Sequence, residues 1–546
     1  MTTLPHLNLD KTMQGVNQTI SEAYDKQVYT SNAFPFSSPN HLRAAALLWG
    51  LESVPLTNAR VLELGCAGGG NLLPFATAYK NAQVVGVDLS RVQIEQGQAM
   101  VKTLGLKNIH LHVMSLTEIS QEFGEFDYII AHGVFSWVPP EVRAEIMRIL
   151  RENLSDRGIG YISYNTYPGW KAGDIVRDAM LLHSSVVGEQ SDKVAAARAM
   201  LSLLSDGIAA SNPLGPSLHA AVDQLRQHSD YYIAHEYLEI FNNPCYLLEF
   251  ADMADQHGLM HVGDVEPQTE LSAVYGQNVQ INHSLIALGQ ARILRQQYLD
   301  FSVGRTFRKS LVVRKERAGE ILNSPSIDRL KELRWAGHFT ETTRSPDAPP
   351  HFRAFHNHKN HFLQTADTRV ISVIQALTSA WPASLDFDSL VTDSLANLDV
   401  AEISEGAKNV FRALETLFRQ NLIRYSLEPS PYDRGLVQKA SAPNLIPGFA
   451  HIYRERENPE FSIGTYNMWH DSVNIKLHEA EAYILPYIDG ARSRKQLITI
   501  LRDALHNGRV PSTDGKPLKG QRNLDKLAET IFDKLTELLR RHAILV

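Results

Sequence analysis

The chain has 546 residues with 53 basic and 60 acidic side chains, a net charge of −7, 44% apolar and 21% charged residues. That length is several times the roughly 150 residues of one ordinary domain, and the balance is that of a folded globular protein, which excludes a small binding module and a disordered polymer. The acidic excess argues against a broadly basic nucleic-acid binder, and two cysteines, Cys66 and Cys245, are too few for a disulfide framework or a thiolate zinc site.

The amino-terminal stretch MTTLPHLNLDKTMQGVN lacks the basic and apolar regions of an export signal. No apolar run approaches the ~18 residues that cross a bilayer, so a cytoplasmic protein without membrane insertion is expected. From Ala59 to about Asn165, short β-branched runs alternate with helical stretches, which predicts a Rossmann-like α/β fold with helices over a parallel sheet. The predicted strands are Arg60 to Leu64, Gln83 to Val87, Ile109 to Val113, Phe126 to Ala131 and Gly158 to Tyr164. Helical spacing runs through Asn71 to Tyr79, Ser90 to Leu104 and Pro140 to Leu154, with Ser90 suited to an N-cap.

Residues 1–170 therefore read as the sheet core with an amino-terminal helical cover, and 171–240 as a helical insertion. CYLLEFADMADQHG then leads into LMHVGDVE, and SLVVR follows, so 241–316 is expected to add two strands and complete the sheet. Further on, LETLFRQNLI at 414–423 aligns with LTELLRRHAI at 535–544. Each follows two shorter helical segments and runs into a β-like end, predicting two mainly α, winged-helix-like units at 325–430 and 450–546.

The chemistry concentrates in RVLELGCAGGGNLLPFA, where a strand ends at Gly65 and a helix begins near Asn71. A helix amino terminus with bare N–H groups attracts anions, either a dinucleotide pyrophosphate or the carboxylate end of S-adenosylmethionine. Ala67 occupies the middle position of a dinucleotide Gly-x-Gly-x-x-Gly, where a methyl group crowds a pyrophosphate, and Glu63 repels phosphate while attracting an ammonium group. Methyl transfer is favoured. Asp88, followed by Leu89, ends the second strand 23 residues after Gly65, placed to accept ribose hydroxyls. Met114, Ser115 and Leu116 end the third strand, where an adenine ring would rest.

The fourth and fifth strands deliver AHGVFSWVPP and SYNTYPGW to the same carboxyl edge, bringing His132, Phe135, Trp137, Tyr164, Asn165, Tyr167 and Trp170 into consideration. Transfer of a methyl group from a sulfonium is an in-line displacement that needs alignment, and aromatic faces steady cations. The histidine run HFRAFHNHKNH reads as an alternating strand surface, with no metal expected. RTFRKSLVVRKER reads as a solvated strand and helix face, and the basic tail after Arg492 as a surface for protein contacts, with RNA less favoured.

ELGCAGGGNLLPFA, VGVDLS, FDYIIAHGVFSWVP and SYNTYPGW, with YDKQVYTSNAFPFSSP and AHEYLEIFNNPCYLLEFADMADQHGL, closely resemble bacterial class I methyltransferases that carry a methyltransferase regulatory domain. These include lysine methyltransferases of outer-membrane proteins. The resemblance covers roughly 20–315 and makes 241–316 the regulatory-domain segment. It implies S-adenosylmethionine held by Gly65, Cys66, Ala67, Gly70, Asn71 and Asp88, with the segment of Tyr24 and Tyr29 covering it. Expected catalytic residues are Tyr29, His132, Trp137, Tyr164 and Tyr167. Hydrogen bonding to the acceptor amine falls to Tyr29, Tyr164 or Tyr167 and a proton relay to His132, which also borders the cofactor. The expected acceptor is lysine in protein, with RNA or a small molecule as the alternative within the class and a non-catalytic cofactor-binding regulator outside it. A homo-oligomer is left open.

Overall fold

The computed structural model describes residues 30–188, 190–239, 241–396, 405–433, 442–458, 461–511 and 521–546. Seven strands form the main sheet: β1 (Arg60–Leu64), β2 (Gln83–Asp88), β3 (Ile109–Val113), β4 (Phe126–Ala131), β5 (Leu154–Asn165), β6 (Leu259–Asp264) and β7 (Phe307–Arg314). Their order is β3-β2-β1-β4-β5-β7-β6. The pairs β2/β3 and β4/β5 are parallel, whereas β7 runs antiparallel to both β5 and β6. Phe126–Ala131 is buried at every position, as a central parallel strand covered on both faces must be. By contact density the chain divides into two compact units.

The first unit comprises Glu63–Gly65 and Met114–Ser324 among the described residues. Its helices Trp170–Ser184, Gln190–Gly207, Gly215–Arg226 and Asp230–Tyr237 bury a core of their own, including Trp170, Val176, Met180, Leu201, Val222 and Ile233. The basic run near 305–317 departs from the solvated face expected of it. Arg308 on β7 is fully buried, and its guanidinium donates twice to Asp300 at 2.8 Å and once to Glu270 at 3.1 Å. The pairing acids come from the helix Arg292–Val303 and the turn Pro267–Glu270, and they hold the guanidinium well above its ordinary pKa despite burial. A buried charge is tolerated only when opposite charges pair with it in this way.

The second unit comprises 30–62, Cys66–Val113 and Pro325–Val546. Ser90 caps the helix Arg91–Thr103 by accepting from Gln93 N. Helices Thr368–Ala380, Phe387–Leu395 and Gly406–Arg419 pack around Trp335, Leu377, Leu414 and Phe418. The helix Pro39–Leu48, within the stretch the sequence assigns to the sheet core and its amino-terminal helical cover, buries Ala44, Leu47 and Leu48 in this same cluster. β8 (Arg334–Ala336) pairs with β12 (Arg424–Ser426), while β9 (Phe339–Thr342), β10 (Arg353–Asn357) and β11 (Phe362–Thr365) form an antiparallel sheet that carries His356 of the histidine run, with His351, His358 and His361 off the strands. Helices Glu479–Ile484, Arg494–His506 and Gln521–Arg541 follow. Among the described residues no helix is long and apolar enough to cross a membrane.

Candidate functional site

The glycine-rich turn after β1 is built by its own main chain. Gly65 has φ +71°, and a Cβ there would meet Val134 Cγ2 at 2.5 Å, so both conformation and space demand glycine. Ala67 follows with φ 49°, a left-handed conformation that alanine adopts at a cost of roughly 1 kcal/mol. Its N–H donates to Asp88 Oδ2 at 2.8 Å, while Ser90 N donates to Asp88 Oδ1 at 2.9 Å. Two main-chain donors thus aim the carboxylate at the end of β2.

The rest of the turn is fastened from the amino-terminal side. Cys66 N donates to Val87 O at 3.1 Å, Gly69 N to Cys66 O at 2.8 Å and Gly70 N to Ser31 Oγ at 2.8 Å. A Cβ on Gly70 would lie 2.1 Å from the Ser31 carbonyl oxygen, so it is this approach that requires glycine. Asn71 Oδ1 accepts from Phe34 N at 3.0 Å and from the Ser37 hydroxyl at 3.2 Å. The donors of Cys66 and Gly70 and the acceptor of Asn71 therefore shape the turn, which corrects the expectation of a bare anion cradle. Gly68 keeps an N–H without an acceptor among the described residues. Ser31 in turn pairs in parallel with Ile463: Ser31 N donates to Ser462 O at 2.7 Å and Gly464 N to Ser31 O at 2.9 Å.

In the first unit, Glu63 is buried at the end of β1. Leu116 is buried and Met114 half-buried, but Ser115 caps the turn Leu116–Glu118: its hydroxyl accepts from Thr117 N and its N–H donates to Glu118 Oε2 at 2.7 Å. Glu118 is an acid the sequence reading overlooked at this strand end.

Beyond β4, Gly133 N donates to Ser163 Oγ at 2.9 Å, and Ser163 Oγ and Tyr161 Oη lie 2.9 and 3.1 Å from His132 Nδ1. Burial, with the nearby Lys309 charge adding to it, pushes the His132 pKa down to about 3, so its imidazole is neutral. Phe307 presents an edge to the His132 ring at 6.4 Å, and Lys309 pairs with Glu266.

Three family models match the chain: a methyltransferase domain over 61–158, a predicted methyltransferase regulatory domain over 229–314, and the PKMT C-terminal winged helix domain over 462–544. The uncharacterized protein RP789 of Rickettsia prowazekii is 30% identical over 560 residues, covering 99% of this chain and 98% of the relative. The chain belongs to the class I S-adenosylmethionine-dependent methyltransferases with a regulatory domain. A second relative from that organism, the uncharacterized protein RP028, is 35% identical over 242 residues, 44% of this methyltransferase and 97% of the relative. PKMT2 from Rickettsia typhi, solved in complex with AdoHcy, superposes with a TM-score of 0.80 over 95% of the methyltransferase and all of PKMT2 at 23% identity, a shared fold.

The methyltransferase has groups that fit its cofactor. An anchored carboxylate at Asp88 suits a ribose diol, and the buried Glu63 carboxylate suits an ammonium group. Several aromatic assignments change. Tyr164 is 1% exposed, stacks on Phe250 at 4.3 Å and shares a hydrogen bond with Ser310, and burial holds its phenol well above the ordinary range. It is a core residue, as is Phe135, which packs on the same Phe250 ring at 5.5 Å. Side chains alternate faces along a strand, so Tyr161 and Ser163 project beside His132 while Tyr164 does not. Trp170 lies in the core of the helical segment. Trp137 is half-buried in the turn Phe135–Trp137, and Asn165 donates to Asn242 Oδ1 at 3.0 Å. Tyr167 donates its hydroxyl proton to Asp174 Oδ2 at 2.7 Å. Tyr24 and Tyr29 lie outside the described residues.

Proposed function

We propose that this methyltransferase N-methylates lysine side chains of a protein. The observation that carries the reading is the match of 462–544 to the winged helix domain of PKMT, a protein lysine methyltransferase family. S-adenosylmethionine would supply an electrophilic methyl group; in the second unit Asp88 and Leu89 would hold its ribose side and Gly68 its amino-acid end, while in the first unit Glu63 offers a carboxylate suited to an ammonium group and Met114 and Leu116 apolar surface suited to adenine. His132, Tyr161, Ser163, Trp137 and Phe307 border the acceptor. A neutral amine attacks in line, forming the N–C bond as the S–C bond breaks.

Bringing a lysine amine from a pKa of about 10.4 to its neutral form at pH 7 costs roughly 4.6 kcal/mol, so part of the catalytic task is deprotonation. His132 has too little basicity to keep a proton near pH 7. Its role is to orient Tyr161 and Ser163 hydroxyls, while the proton of the amine passes to solvent before attack.

The test incubates the protein with labelled S-adenosylmethionine and a bacterial extract, followed by mass spectrometry of every labelled species. Methylated lysine in polypeptides supports the reading. Label confined to RNA or to small molecules, or tight cofactor binding without transfer, overturns it.

A further inference from the structure

Tyr167, directly after β5, lies 5.3 Å from Tyr246 with ring planes inclined at 51°, and Tyr246 lies 5.7 Å from Phe301. The three rings stand on separate elements. Tyr246 precedes the helix Leu247–Gln256, with its N–H donating to Glu249 Oε2 at 2.7 Å, and Phe301 sits on the helix Arg292–Val303. Phe301 is 54% exposed, so the row opens to solvent. A cation already rests there: Lys171 Nζ is 3.6 Å from the Tyr167 ring centroid and 5.7 Å from that of Tyr246.

We propose that this aromatic row is a binding site for a methylated lysine side chain, with Lys171 as its displaceable internal occupant. The inference rests on the reading of protein lysine as acceptor. Aromatic faces attract any ammonium ion, and aromatic cages are how quaternary ammonium groups are recognised. A bare ammonium needs acceptors for three N–H donors, whereas a methylated one needs mainly polarizable surface. Here Asp174 Oδ2 accepts the Tyr167 hydroxyl and Glu249 Oε2 accepts Tyr246 N, so one oxygen of each neighbouring carboxylate is already engaged while the Tyr167 ring face lies 3.6 Å from a cation. Lys171 occupies it because it is tethered four residues from Tyr167 and loses no translational freedom on settling there. An acceptor chain bearing several lysines would be held by its first methylated side chain while the next is modified.

The experiment titrates the full-length protein with N-acetyl-trimethyllysine amide, followed by NMR line shape and shift of the trimethylammonium signal. Lys171→Ala should bind about fivefold more tightly than the wild type, and Phe301→Ala and Tyr246→Ala about fivefold more weakly, the range of one exposed cation–π contact. N-acetyl-lysine amide should bind more weakly than its trimethylated form. Phe301 is exposed enough for its alanine variant to fold, which circular dichroism verifies. Equal affinity of Lys171→Ala and wild type, unchanged affinity in Phe301→Ala, or no preference for the methylated amide overturns the proposal. The readout involves no methyl transfer, so its failure is separate from failure of the acceptor assignment.

Discussion

The Ser31 hydroxyl accepts the main-chain N–H of Gly70 at 2.8 Å, and Ser31 is itself paired through its backbone with Ser462 and Gly464. The turn that follows β1 is therefore braced by residues far from it in sequence. Ser31→Ala removes one buried hydrogen bond, about 1 kcal/mol, and is expected to weaken S-adenosylmethionine binding about fivefold. Calorimetric titration checks this, with kcat at saturating cofactor expected to change less than KM.

Asp88 receives two main-chain donors, so its loss frees both the turn and the contact it offers to a ribose. Asp88→Ala should weaken cofactor binding by at least about 1 kcal/mol, the value of one charge-assisted hydrogen bond. Equilibrium binding of the cofactor gives the answer directly, and unchanged affinity would remove Asp88 from the site.

Gly70 and Ala67 respond oppositely to exchange. A methyl group on Gly70 would collide with the Ser31 carbonyl, so Gly70→Ala should lower the melting temperature by several degrees, about 1 to 3 kcal/mol of overpacking. Ala67→Gly relieves a left-handed φ but makes the unfolded chain more flexible, so its melting temperature should equal or exceed that of the wild type.

The pKa values of His132 and His470 are pushed down to about 3, and that of His338 to about 4, chiefly by burial. Each folded pKa lies below the unfolded value near 6.5, so below that pH the unfolded chain binds more protons. Stability is fully present above pH 6.5 and falls as the pH drops toward 4. Thermal denaturation between pH 8 and 4 should show this loss, and proton uptake on unfolding at pH 5 should diminish in His470→Gln. The pH profile of methyl transfer should carry no limb from His132 between pH 6 and 9.

Arg308 is enclosed with Asp300 and Glu270. Arg308→Met strands two buried carboxylates and should cost about 3 to 5 kcal/mol, read as a shift of the urea midpoint. Replacing Arg308 together with both acids by apolar residues should recover much of that loss, since the penalty comes from the unpaired partners.

The strands of the α/β half were legible because central parallel strands are continuous apolar runs, and the turn at Gly65–Gly70 was legible because its glycines follow such a run. Tyr164 was misplaced and Tyr161 and Ser163 missed because β5 is buried on both faces over Gly158–Asn165, so no polar alternation reveals which parity faces His132. Nothing local at Ser31 or Ile463 signals their pairing, and Arg308 sits in a basic run whose partners Glu270 and Asp300 lie 38 and 8 residues earlier. Spatial partners of this kind leave no periodic trace in a single sequence.

The parallel bridge of Ser31 with Ile463 also orders events in time. A growing polypeptide cannot make this pairing until residue 464 has emerged from the ribosome, so until then the Ser31 that braces the turn after β1 lacks its own backbone partners.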